Sequence, residues 1–267
     1  MPSTPVSDDA MLDLFERLAL EAGRAIMPIF QGECVVEQKP DASPVTAADQ
    51  AAEAIILVGL REAYPDIPCV AEEEVSGGHL PPDLGRQFFL IDPLDGTREF
   101  INKRPDFTVN IALVRNGLPE IGVVYAPASG KMFGGRPGRA EIMETGANHT
   151  AGGRRAIAVR ACAEPPTIVA SRSHRTPETD SYIAGLPAAE IVSVGSSLKF
   201  CLLASGEADF YPRFGRTMEW DTAAGDAVLR AAGGITKTLD GSPLLYGKRK
   251  QAHDSDFANP HFVASSA

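Results

Sequence analysis

Cysteine is scarce and scattered. Cys34, Cys69, Cys162 and Cys201 are the four in 267 residues, with no C-x-x-C pair and no histidine spaced to complete a zinc site. That pattern excludes a disulfide scaffold or zinc module and fits a reducing compartment. No window approaches the roughly eighteen uninterrupted apolar residues of a membrane span, and no basic stretch precedes a long apolar run at the N-terminus. Neither integral membrane association nor export is therefore expected, and the cytoplasm is the expected location. Positive charge is also in deficit. Lys and Arg number 25 against 35 Asp and Glu, a net charge of −10, which disfavours a sequence-independent grip on a nucleic-acid polymer. Internal repeats and low-complexity segments are missing as well.

What is present is an ordinary globular composition, 44% hydrophobic and 22% charged, enough for a sizeable core in one large domain or two closely packed lobes. An acidic chain that handles phosphate needs a few local cations, or metal ions held by its surplus carboxylates.

Apolar residues recur at Met11, Leu14, Phe15, Leu18, Ala22, Ala25, Ile26 and Ile29, predicting a helix from Asp8 to about Ile29 with Ser7 as its N-cap. A second helix should start after Thr46, because Thr46-Ala47-Ala48-Asp49 has the form of a capping box. Phe88-Phe89-Leu90-Ile91 reads as a buried strand that stops at an Asp-Pro. Phe107–Val114 and Ile121–Tyr125 flank Asn116-Gly117 as paired antiparallel strands, with a meander through Lys131 to Glu144. Small polar residues from Thr145 to Gly153 mark a boundary, so we expect an α+β lobe over 1–150 and an α/β lobe over 151–267. In the second lobe, strands are expected at Ala156–Val159, Thr167–Ala170 and Glu190–Val194, and helices near Ser197–Ala204 and Thr222–Ala232.

Asp92 and Asp95 lie three residues apart at the mouth of the buried strand, followed by Gly96-Thr97. Two anions so close repel unless a hard cation lies between them, and Mg²⁺ prefers such oxygen ligands. Gly96 allows close backbone approach to a ligand, and the amides of Gly96 and Thr97 would face a phosphate if a helix began there. Capping a turn and a helix is the competing account of both aspartates. Two further acidic stations matter. Glu72-Glu73-Glu74 follows the apolar Cys69-Val70-Ala71, and Asp221 follows Trp220 at the start of a helix; taken singly, these read as a solvated cluster and an N-cap.

Taken together, Glu72-Glu73, Asp92-Pro93-Leu94-Asp95-Gly96-Thr97-Arg98-Glu99-Phe100 and Trp220-Asp221-Thr222-Ala223-Ala224-Gly225 resemble the inositol monophosphatase superfamily of lithium-sensitive, Mg²⁺-dependent phosphatases. Within it, Lys39-Pro40-Asp41-Ala42-Ser43-Pro44-Val45-Thr46, Phe107–Leu113, Gly195-Ser196-Ser197-Leu198-Lys199-Phe200 and Tyr211-Pro212-Arg213-Phe214-Gly215 are similar to the CysQ-type 3′(2′),5′-bisphosphate nucleotidases. Arg216 departs from the proline more usual in that subgroup.

The resemblance implies a layered α/β/α/β/α sugar-phosphatase fold, an α/β (α+β) sandwich with the cleft between two lobes. It implies that Glu72, Asp92, the Leu94 carbonyl, Asp95 and Asp221 hold two or three Mg²⁺ ions, while Asp49 and Thr97 orient and deprotonate the attacking water. It also implies removal of the 3′-phosphate from adenosine 3′,5′-bisphosphate to give AMP, by in-line displacement without a covalent phosphoenzyme, and inhibition by Li⁺. Gly96, Thr97, Ser171, Ser173, His174, Ser197, Lys199 and Arg213 are the candidates for phosphate and nucleotide contacts; each polar one has a solvated or capping role as its competitor. An inositol or sugar monophosphatase, and a regulatory homologue without catalysis, are the other readings, because a fold does not fix its substrate. A homodimer and attachment to the inner face of the membrane stay open on sequence alone.

Overall fold

The computed structural model describes residues 7–32, 36–38, 44–171, 175–186 and 189–266. Helix α1 (Asp8–Gln31) begins where expected: the Ser7 hydroxyl accepts from the Ala10 amide at 3.2 Å, and Asp8 and Asp9 complement the first turn. Strands β1 (Val36–Gln38) and β2 (Pro44–Thr46) form a small antiparallel pair. Helix α2 (Ala47–Ala63) follows at once, closed by the Thr46/Asp49 capping box.

The first sheet has seven strands in the order β3 (Cys69–Ala71), β4 (Gln87–Asp95), β5 (Thr108–Arg115), β6 (Leu118–Ala126), β7 (Lys131–Arg136), β8 (Arg139–Glu144) and β9 (Arg154–Ala156). Only β3 and β4 run parallel; every later neighbour is antiparallel. Two five-residue helices interrupt it, α3 (Glu72–Ser76) after β3 and α4 (Thr97–Ile101) after β4. The strand expected at Ala156–Val159 is displaced: it ends at Ala156 and closes the first sheet against β8 rather than opening the second lobe. Ile157 and Val159 still donate to Ala140 and Ala232, so the apolar alternation is real while the ladder ends earlier.

Elements α5 (Pro177–Ala184), α6 (Leu198–Ala204) and α7 (Ala223–Ala231) accompany a second sheet ordered β11 (Glu190–Ser193), β10 (Thr167–Ala170), β12 (Phe210–Arg213), β14 (Phe262–Ser265) and β13 (Ile235–Thr238). The first three of these strands are parallel and the last two pairings antiparallel.

Strand alternation explains the layering, because successive side chains point to opposite faces. Phe89, Ile91, Ile111, Val123 and Tyr125 pack with α1 and α2 through Phe15, Ile26, Ile56 and Leu60. The intervening Leu90, Ala112 and Val124 pack with Phe200, Ala224 and Val228 of α6 and α7, and through them with Tyr211 and Phe262 of the second sheet. Ile168 and Ala170 face Ile183 of α5 on the far side. The result is the five-layer α/β/α/β/α sandwich. No helix among the described residues is long and apolar enough to cross a membrane.

Candidate active site

A cleft of about 280 Å³ opens where the end of β4 meets α6, β12 and the turn before α7. Register shifts in β4 between Asp92 and Asp95, so Asp92 faces Asn110 and Asp95 faces Thr108 with one extra residue on the β4 side. This bulge re-aims the strand end. Gly96 follows at φ 97°, and a Cβ there would lie 3.1 Å from the Asp106 carbonyl, so glycine alone suits the turn. The chain then enters α4 with Thr97 as its first residue.

Four carboxylates from separate parts of the chain share this space. Asp92 is buried and accepts from the Leu94 amide at 3.0 Å. Asp95 accepts from the Ser197 hydroxyl at 3.0 Å, and Asp221 from the Met218 amide at 2.8 Å. Glu72 opens α3 beside them and lines the cleft. Burial first, and then the charges of Glu72, Asp95 and Asp221, push Asp92 well above its ordinary value. Burial likewise raises Asp95, against the opposing pull of Lys199 and Ser197. Asp221 is pushed up to about 8 by burial and then by Asp95 and Glu72.

Asp49 caps α2 and also reaches Thr97. Its Oδ2 accepts from the Thr46 amide at 2.8 Å and the Thr46 hydroxyl at 2.6 Å, while its Oδ1 stands 3.3 Å from Thr97 Oγ1. Thr97 Oγ1 is also 3.3 Å from the Leu94 carbonyl, and its single proton serves one acceptor at a time.

The same cleft carries cations. Lys199 is buried, its ammonium donating to the Ser196 carbonyl and standing 5.4 Å from the centre of the Tyr211 ring. Burial lowers it to about 8, opposed by the attraction of Asp95. Arg213, also buried, donates to the Arg216 carbonyl at 3.0 Å. Ser171 and Arg216 line the same cleft.

A match to the inositol monophosphatase family model spans residues 7–265. The chain belongs to the inositol monophosphatase family. Among curated relatives of this family, the Escherichia coli K12 protein named 3′(2′),5′-bisphosphate nucleotidase CysQ is 46% identical over 96% of this chain and 99% of its own length. The CysQ crystal structure from Bacteroides thetaiotaomicron superposes with a TM-score of 0.76 at 34% identity, covering 96% of this chain and 97% of that one. An inositol monophosphatase from Anabaena superposes with a TM-score of 0.73 at 27% identity, covering 97% and 91%.

The family is metal-dependent, typically on Mg²⁺, and the donor chemistry here fits a hard cation. The cluster is all oxygen, and its three aspartates are raised by burial first and then by neighbouring carboxylates, a repulsion that a divalent ion relieves. Among the described residues, no three acidic, His or Cys side chains converge on one ready-made ligation point. Each of the three aspartates has an oxygen turned to a protein donor instead.

Of the residues singled out in the sequence, Glu72, Asp95, Gly96, Thr97, Ser171, Ser197, Lys199, Arg213 and Asp221 line the cleft, with Asp92, the Leu94 carbonyl and Asp49 directly behind. Asp221 does not serve as the N-cap of α7, a position held by Thr222. Ser197 is buried, accepts from Asn110 at 2.9 Å, and lies 3.0 Å from Asp95 Oδ2 and 2.6 Å from the Asp221 carbonyl. That geometry ties two acidic stations together and commits the hydroxyl within the protein. Ser173 and His174, and the segment Lys39–Ser43, lie outside the described residues. Missed in the sequence were Asn110, Tyr211 and Glu53. Glu53 was findable, because it stands one helical turn after Asp49 on the same face.

The raised carboxyls carry a pH signature. Each binds its proton more tightly folded than unfolded, so its contribution is fully present below the ordinary aspartate value of 3.8 and is lost as pH rises through its raised folded value, which for Asp221 is about 8. Depressed acids such as Asp209 act below that window, and Lys199, lowered to about 8, acts above it. Without metal, the melting temperature should fall steadily between about pH 5 and pH 8; Mg²⁺ should remove the part due to the aspartates and leave the part due to Glu53, which burial raises to about 7 outside the cleft. Melts in chelator and in Mg²⁺ check this; a flat metal-free profile would remove the mutual repulsion from the account.

Proposed function

We propose that this chain is a Mg²⁺-dependent phosphomonoesterase that removes the 3′-phosphate of adenosine 3′,5′-bisphosphate, leaving AMP and inorganic phosphate. One observation carries it. Glu72, Asp95 and Asp221, backed by the buried Asp92, share a single cleft with the buried cations Lys199 and Arg213. Such a site suits a ligand with two phosphates, one held at the metal and one at the cations. The name borne by the Escherichia coli relative supports the same substrate.

Glu72, Asp92, Asp95, Asp221 and the Leu94 carbonyl would hold two or three ions. When bound, these supply charge neutralisation at the phosphoryl oxygens and a lower pKa for the attacking water. Thr97 orients that water and passes its proton to Asp49, whose other oxygen is pinned by Thr46. A water ordered at Asp221 gives a proton to the departing ribose oxygen, and the proton held by Asp49 then returns through solvent to the hydroxide so formed, so the net change is one water consumed and one P–O bond exchanged. Ser171, Lys199, Arg213 and the Gly96-Thr97 backbone bind the phosphates, and Ser173 with His174 completes the proposed nucleotide contacts. Ser197 acts by holding Asp95 to the Asp221 turn. The division of labour follows two lobes, 1–150 supplying most ligands and 151–267 supplying Asp221 and the cations. The few, scattered cysteines support the cytoplasm as the enzyme's compartment.

Phosphate release should rank adenosine 3′,5′-bisphosphate and its sulfated analogue above inositol 1-phosphate and fructose 1,6-bisphosphate, with Mg²⁺ required and Li⁺ inhibiting. A preference for inositol 1-phosphate would overturn the substrate and keep the chemistry. No release from any of the four would return the chain to the class of inactive homologues.

A further inference from the structure

Helix α3 is five residues long, too short to persist without help. Its first amides need acceptors, and its N-cap, Ala71, has no side-chain oxygen to offer and makes no capping bond. The acceptors come instead from α2. Glu53 Oε2 receives the Glu73 amide at 2.8 Å, and Glu53 Oε1 receives the Glu74 amide at 2.9 Å. Glu53 is 5% exposed, held in a helix whose Ala52, Ile56 and Leu60 are buried in the core.

We infer that Glu53 is a positioning residue for the metal-binding turn: by clamping two successive amides of α3, it fixes the direction in which Glu72 presents its carboxylate to the cleft. The inference rests on the reading of Glu72 as a Mg²⁺ ligand. One acceptor would leave the turn free to pivot; two oxygens on two neighbouring amides fix its rotation as well as its place. A second side-chain tether on this turn, Arg61 to Glu74 at 2.7 Å, joins a half-exposed arginine to a partly exposed glutamate and constrains little. Asp49 lies one turn earlier on α2, so a single rigid helix carries both the group beside Thr97 and the clamp behind Glu72. The attacking-water side and the metal side of the cleft are thereby set at a fixed separation by one element. This goes beyond contacts at the site, since Glu53 itself does not line the cleft.

The test uses the full chain and Mg²⁺ alone, with affinity read by calorimetry and by the Mg²⁺ concentration that gives half of the thermal shift. Glu53→Ala should weaken Mg²⁺ binding about tenfold to a hundredfold, the usual range for residues that orient a ligand. Glu53→Gln keeps one carbonyl acceptor and should fall between Glu53→Ala and wild type; it also carries the comparison if the alanine variant does not fold. KM for the substrate at saturating Mg²⁺ should move less than about twofold, because the substrate cations sit on α6 and β12. The decisive readout is the double variant Glu53→Ala/Glu72→Gln, which should bind Mg²⁺ no more weakly than Glu72→Gln alone if Glu53 works through Glu72. Unchanged Mg²⁺ affinity in both Glu53 variants, or fully additive losses in the double, overturns the inference. Failure of the wild-type chain to bind Mg²⁺ would instead overturn the reading of the site.

Discussion

Asp95→Asn should keep the fold and, on the proposed role of Asp95 as a metal ligand, lose at least about a hundredfold in turnover. The fold survives because asparagine fills the same volume at the end of β4, and its carbonyl still accepts the Ser197 proton that Asp95 accepts now at 3.0 Å. What disappears is charge. Mg²⁺ sheds water reluctantly and is held by anionic oxygen, so a neutral side chain at this position would weaken the hold on the ions. Loss of the carboxylate also strips Lys199 of the partner that most opposes its desolvation, so Lys199 should lose its proton at lower pH in the variant. Circular dichroism and melting would show an intact protein, and turnover measured across a Mg²⁺ series would show the defect. Near-normal turnover at saturating Mg²⁺ would remove Asp95 from the ligand set.

Local chemistry was legible wherever a few neighbouring residues settle the outcome. Ser7 and the Thr46/Asp49 capping box announced α1 and α2 because a cap is a bond across three residues. The hairpin through Asn116-Gly117 was legible for the same reason, since both residues take positive φ there. Helix α5 went unread: its apolar face is thin, although Thr176 as N-cap with Pro177 behind it is a start signal in hindsight. The displaced strand at Arg154–Ala156 shows the limit of periodicity, which can place an apolar run but cannot name its partner.

The site divides the same way. The acidic motifs stood out because close carboxylates are costly without a cation. Their supports did not. Ser197 reaches Asp95 across 102 positions and Glu53 reaches the α3 amides across 20 and 21, and no local pattern encodes such distances. Asn110 stands between the apolar Val109 and Ile111 in β5, and its side-chain amide nitrogen donates to Ser197.

Gly122→Val should cost about 3 kcal/mol or more, at the upper end of overpacking penalties, and lower the melting temperature by roughly 6–12 °C. Gly122 of β6 and Gly135 of β7 are cross-strand partners, and together they form the flat surface on which α7 rests. A Cβ at Gly122 would lie 2.5 Å from the Ala224 carbonyl oxygen and 2.8 Å from the Ala227 methyl; one at Gly135 would lie 2.6 Å from the Val228 Cα. These are backbone and methyl atoms, with no flexible side chain to swing aside, so the helix itself must move, by roughly an ångström. Movement there is felt at the chemistry, because α7 begins two residues after Asp221 and the Asp221 carbonyl lies 2.6 Å from the Ser197 hydroxyl that also bonds Asp95. Turnover at saturating Mg²⁺ should therefore drop together with stability. Gly153→Val is the control, since nothing lies within 4 Å of a Cβ at that position and its backbone needs no positive φ; it should melt with the wild type. Equal melting of the two valine variants would show that α7 is not seated on the glycine pair, and that Asp221 takes its position from some other contact.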